Sequence, residues 1–180
     1  MTEGVSKQET PSSEKESISH GEIQDLIVEL GNNLNYFAEK EFRIDGYKLD
    51  VVWKRTVDAA PSEAFEVQKR GNLRQAIENL RHAWGKGISK LYLVVFTTKD
   101  KMEAERLVDV SLHDIKDHVY VRTIKEIMKW HNSTKTAAED AIKIGGHKGL
   151  AQLRFRRNVS RLQRKKSPRK RKKKDATIDG

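Results

Sequence analysis

Residues 47–69 read YKLDVVWKRTVDAAPSEAFEVQK, and the alternation within them decides the fold. Tyr47–Trp53 and Glu63–Lys69 carry the β-branched and aromatic residues of strands, and Ala59-Ala60-Pro61-Ser62 breaks one run from the other. Successive side chains of a strand point to opposite faces, so Glu66 and Gln68 share one face and Phe65 and Val67 take the other. Asp50 lies in the neighbouring run. A carboxylate and an amide oxygen on one face, with a second carboxylate from the next strand, form a hard oxygen site suited to Mg²⁺, with Mn²⁺ as a substitute.

Upstream, Ser19 and Glu22 have the spacing of a capping box. Ile23, Leu26, Ile27, Leu30, Leu34 and Phe37 follow at helical spacing, which predicts a helix over 20–37. A strand over Glu39–Ile44 then joins the Tyr47 run through Asp45-Gly46, a hairpin turn pair. Downstream, Gly71-Asn72 introduces a helix whose Leu73, Ala76, Ile77, Leu80 and Trp84 share a face, and Gly85 and Gly87 end it. Leu91–Phe96 is apolar throughout, as befits a strand covered on both sides. A helix over Asp100–Val110, a strand over His118–Arg122 and a helix over Thr123–Trp130 complete the body, with 135–144 readable as more helix. Two successive strand–helix–strand units imply parallel pairing with right-handed crossovers. The fold class is α/β, a mixed sheet flanked by helices.

The 180 residues amount to one domain with extensions. Residues 1–18 read as a disordered leader, 19–133 as the α/β domain and 134–180 as a basic tail, helical over 148–164 when bound to a partner. Residues 1–140 hold 21 Lys and Arg against 24 Asp and Glu, a net of −3, whereas 141–180 hold 15 against 2, a net of +13. The excess positive charge therefore sits in the tail. Arg154, Arg156, Arg157, Arg161, Arg164, Lys165, Lys166, Arg169, Lys170, Arg171, Lys172, Lys173 and Lys174 are its candidate phosphate contacts, of the sequence-independent, salt-sensitive kind. Phe155 is the one aromatic among them, too few for base stacking.

Cysteine is absent, which excludes disulfides, thiolate metal sites and a cysteine nucleophile. No Gly-rich phosphate loop and no G-x-S-x-G turn occurs, and the six histidines have no ligand spacing. No apolar run approaches the ~20 residues of a membrane span, and the polar start lacks the apolar core of a secretory signal. These features imply an intracellular protein with no membrane partner, in the cytoplasm or nucleoid. In a eukaryote Lys165–Lys174 has the composition of a nuclear import signal.

The order of elements, with Asp50 on the hairpin and Glu66-x-Gln68 on the third strand, resembles the PD-(D/E)XK nuclease superfamily, the restriction-endonuclease-like fold, over residues 20–130. The resemblance implies a metal-dependent nuclease that hydrolyses phosphodiester bonds in DNA. Asp50 and Glu66 take the metal-ligand positions, Gln68 the position most often held by Lys, and Glu22 the acid on the first helix. Gln68 departs from that pattern, because an amide supplies no positive charge. Two other readings stand beside this one: a non-catalytic nucleic-acid-binding protein that keeps the fold, and an adaptor whose tail docks on an acidic protein. Arg74 and Arg81 would reach phosphate if their helix face meets the substrate. Oligomeric state is left open, a dimer being compatible.

Overall fold

The structure, a computed structural model, describes residues 18–69 and 73–143. Helix α1 (His20–Asn33) is followed by strands β1 (Phe37–Ile44), β2 (Tyr47–Lys54) and β3 (Pro61–Gln68). Helix α2 (Leu73–Gly85), strand β4 (Lys90–Val95), helix α3 (Thr98–Ser111), strand β5 (Val119–Thr123) and helix α4 (Ile124–Lys143) complete the chain. The five strands lie in one sheet in sequential order. β1, β2 and β3 run antiparallel, and β3, β4 and β5 run parallel. The α/β class and the mixed sheet are as the sequence implies.

Two helical layers enclose the sheet. α1 and the start of α4 cover one face through Ile23, Ile27, Leu30 and Ile127, which meet Trp53, Phe65 and Val94. α2 and α3 cover the other through Ala76, Leu80, Ala104 and Val108, which meet Leu91, Leu93 and Val121. Both crossover helices therefore sit on the same face, opposite α1. No described helix is long and apolar enough to cross a membrane.

The boundaries move where backbone geometry overrides hydrophobic spacing. α1 ends at Asn33 rather than at 37, because Asn35 takes a left-handed φ of +64°. Its N–H bonds Asn32 O at 3.1 Å and the N–H of Tyr36 bonds Gly31 O at 2.9 Å, the paired bonds of a Schellman stop. Phe37 thus opens β1 instead of closing α1. Pro61 likewise starts β3 rather than breaking the chain: it faces Lys54 beside a register shift, at a strand's first position, where proline's missing N–H costs least. α3 begins at Thr98, since Thr97 and Asp100 form a capping box. α4 runs unbroken to Lys143, past Trp130 and through the 133/134 boundary read from composition. Gly71-Asn72, the leader up to residue 17 and the tail from residue 144 lie outside the described residues.

Gly31 marks a close helix–sheet contact. A Cβ there would lie 2.6 Å from Trp53 Nε1, and that indole donates to Ile27 O at 3.2 Å. The absent side chain lets α1 settle on β2.

Candidate functional site

The site forms where the β1–β2 hairpin turns over. On β1, Ala38 packs on the α1 side, but Phe42 and Ile44 pack on the α2 side. On β2, Val51 and Trp53 take the α1 side while Leu49 and Val52 take the other. Alternation therefore slips once in each strand, between the facing pairs Lys40–Val51 and Phe42–Leu49. Within that gap lie Glu41, with a left-handed φ of +52°, and Asp50. One left-handed residue adds local twist and re-aims its neighbours, as a bulge does.

Asp50 is thereby turned into the opening beyond Val51–Phe65, the last pair on that side between β2 and β3. Its Oδ2 accepts the backbone N–H of Val67 at 2.7 Å, in place of a strand carbonyl. Its Oδ1 accepts from Gln24 Nε2 at 2.9 Å and lies 3.1 Å from His20 Nε2. Gln24 Nε2 and His20 Nε2 are themselves 3.0 Å apart.

Glu66 comes to the same opening from the α2 layer. It is 3% exposed, and its Oε2 accepts from Asn79 Nδ2 at 3.2 Å. Its Oε1 is buried without a partner. Burial, and then the negative charge of Asp50, push this carboxyl up to about 8, against the opposing pull of Asn79 and the Asp50 backbone. The two carboxylates therefore interact, but their hydrogen bonds run to opposite helical layers. The expectation that both stand on one face of the sheet is corrected here. Period-2 alternation cannot be carried through a slip, and the slip falls at Asp50.

Gln68 closes β3 beside Val95, half-buried. Lys69 lies past the strand end, where its Nζ donates to Ile18 O at 2.9 Å and sits 5.6 Å from the Phe96 ring. Glu22 is exposed and completes the α1 capping box, in which hydrogen bonds from Ser19 hold its carboxyl below the usual range. What α1 turns toward Asp50 is His20 and Gln24, which sequence reasoning missed. The signal was present: 20, 24, 27 and 31 follow one stripe at helical spacing, so a polar pair prolongs the apolar row that begins at Ile23. Asn79, the partner of Glu66, extends the α2 face in the same manner.

The remaining candidates are accounted for locally. Arg81 makes two bonds to Asp114, at 2.8 and 3.2 Å, and one to Ser111 O at 2.7 Å, which tie α2 to the end of α3. Arg74 is exposed. His82 stacks on Tyr47, His118 packs on Trp84, and His131 is buried 3.2 Å from Glu29. The basic positions from Arg154 to Lys174 lie outside the described residues.

Among the described residues, no group of three or more His, Cys, Asp or Glu is arranged to hold a metal ion. The carboxylate donors at the opening are two, Asp50 and Glu66. One observation bears on a hard divalent cation: Glu66 Oε1 is buried and makes no hydrogen bond among the described residues, although the Asp50 backbone and the Asp50 charge both act on the carboxyl. Comparison with family models, with curated proteins and with solved structures finds no match.

Proposed function

We propose that the chain is a metal-dependent nuclease that hydrolyses phosphodiester bonds in DNA, and that its sheet is a restriction-endonuclease-like one. The observation that carries this reading is the buried Oε1 of Glu66, which makes no hydrogen bond among the described residues, on a carboxyl that feels the charge of Asp50. Two carboxylates that interact, one of them buried, are unfavourable without a cation or a shared proton. Asp50 and Glu66 would hold Mg²⁺ or Mn²⁺, which when bound polarises the scissile phosphate and lowers the pKa of an attacking water.

The protein's own part is orientation and proton handling. The Val67 N–H and Gln24 fix the Asp50 carboxylate from two directions. Glu66 retains a proton near neutral pH while the site holds no cation, and releases it when one arrives. Gln68, at the rim, would hold the water through its amide. The basic residues from Arg154 to Lys174 would supply affinity for the phosphate backbone. A rival reading, a nucleic-acid-binding protein without catalysis, draws on the fact that both Asp50 oxygens already accept hydrogen bonds.

One experiment separates the two. Purified protein is incubated with plasmid, single-stranded DNA and RNA in Mg²⁺, Mn²⁺ or EDTA. Cleavage that needs the ion and is lost in Asp50→Ala and in Glu66→Ala, with binding retained, is the expected result. Binding without ion-dependent cleavage would establish the rival. Undiminished cleavage by the double variant would place the activity elsewhere.

A further inference from the structure

The sheet has two edges, and they are built differently. β1 carries Glu39, Lys40, Glu41 and Arg43, and Glu41 breaks its extended backbone with a left-handed φ of +52°. Charges and a kink of this kind keep an edge from pairing with another strand. β5, at the opposite edge, has one charged residue, Arg122, and neither a proline nor a left-handed residue. A groove of about 440 Å³ lies beside it, between Val119–Arg122 and the α3 residues Glu105, Val108 and Asp109. Two backbone groups of β5 are engaged by side chains where a further strand would bond them. The Val121 carbonyl accepts from Arg122 Nη1 at 3.0 Å, and the Thr123 N–H donates to Glu126 Oε2 at 2.6 Å. Backbone groups alternate in direction along a strand, so Val119, Val121 and Thr123 present theirs away from β4.

The stretch around β5 is complementary to itself. Laid antiparallel on a second copy with Val121 opposite Val121, it sets Tyr120 against Arg122, Asp117 against Lys125 and Lys116 against Glu126. In a two-fold pairing each of these contacts occurs twice. Asp117 and Lys125 are both exposed, and neither has an ion-pair partner among the described residues. A shift of two residues sets Lys116 against Arg122 in one direction and carries Tyr120 past the end of β5 in the other. On the α1 side, the rings of Phe65, Tyr92 and Tyr120 stand in a row across β3, β4 and β5, with centroids 4.4 and 5.2 Å apart. These spacings are close to the ~4.8 Å step between strands, so Arg122 of a paired strand takes the next place in the row, against the Tyr120 ring. We propose that β5 is a homodimer interface, in which two copies pair antiparallel about Val121 and join their five-stranded sheets into one. The pairing releases Arg122 from the Val121 carbonyl of its own chain, and that carbonyl accepts the N–H of the partner's Val121 instead. The dyad stands perpendicular to the sheet, so the two Asp50–Glu66 openings face opposite ends of the strands. This interface is independent of the nuclease reading.

The full chain is sedimented to equilibrium over a concentration series in about 150 mM salt, where the like charge of the two tails is largely screened. The mass should rise reversibly from that of one chain toward twice that value. Asp117→Lys sets like charges together at both ends of the interface and should weaken the dimer about tenfold. Lys125→Asp should do the same. The double variant exchanges the two charges and should return the wild-type affinity, which a change in fold alone would not do. Val121→Pro removes the N–H at the dyad, on the side of the strand that β4 does not bond. It should leave the protein monomeric, with its far-ultraviolet circular dichroism unchanged; if that variant fails to fold, the charge exchange decides. A single-chain mass throughout the series, which would leave the edge to a different occupant, would overturn the proposal. So would a dimer indifferent to Asp117→Lys, a double variant as weak as the single ones, or a folded Val121→Pro protein that still dimerises.

Discussion

At Glu66, burial bears directly on ionisation. Its carboxyl is raised to about 8 by burial first and by Asp50 second. The folded protein therefore keeps a proton over a range in which the unfolded chain, with an ordinary value near 4.5, has lost it. The sign follows: this group favours folding most below about pH 4.5, and the benefit is lost as pH rises through about 8. Metal-free protein in EDTA should thus lose stability between about pH 5 and pH 8, by an amount on the order of a few kcal/mol. Glu66→Gln cannot ionise, so it should lack this group's share of the loss and should exceed the wild type's stability at the alkaline end. Urea denaturation at a series of pH values measures both slopes. Parallel slopes in the two proteins would show that Glu66 does not ionise against its burial.

At the scale of elements, the turnover of the hairpin at Glu41 and Asp50 is what aims the site. The left-handed φ of Glu41 is one a non-glycine residue adopts at a cost. Its surface pair with Lys48, at 2.8 Å, returns little of that. Glu41→Gly should therefore keep the turnover and leave stability unchanged or raised by up to ~1 kcal/mol. Glu41→Val places a β-branched residue at the same φ and should cost about 1–3 kcal/mol. Denaturation midpoints compare the two directly. Equal losses in both would mean that the backbone at this position carries no strain. The hairpin itself follows from a local signal, the Asp45-Gly46 turn.

For the molecule as a whole, the charge division is the leading fact. A net of −3 over residues 1–140 repels a polyanion weakly, whereas +13 over 141–180 attracts one. Removing residues 147–180 should lower affinity for any duplex irrespective of sequence and flatten its salt dependence. If about six to ten phosphates are engaged, the intact chain should lose ~10³–10⁵ in affinity between about 50 and 200 mM salt. The truncated protein should keep its fold, since the deepest core residues end with Ile127. Binding isotherms at several salt concentrations read this out. Identical affinity and slope in both proteins would leave the tail a role in import or in docking on an acidic protein.

The sequence by itself determined the α/β class, the chain order of the elements, the capping box at Ser19 and Glu22, and the division of charge. Each of these depends on neighbours within a few positions or on composition, and both are legible along a line. Asp50, Glu66 and Gln68 were also found that way, because acids and amides within strand runs stand out against apolar neighbours. Only the tertiary structure decided how they are presented. A single left-handed residue at Glu41 breaks the alternation, and φ at an ordinary residue is set by the hairpin's packing between two layers rather than by its own side chain. His20, Gln24 and Asn79 emerged at the same stage. A polar residue on an apolar stripe has no assignable role until the strand it faces is known, and α1 lies against β2 because Gly31 admits Trp53.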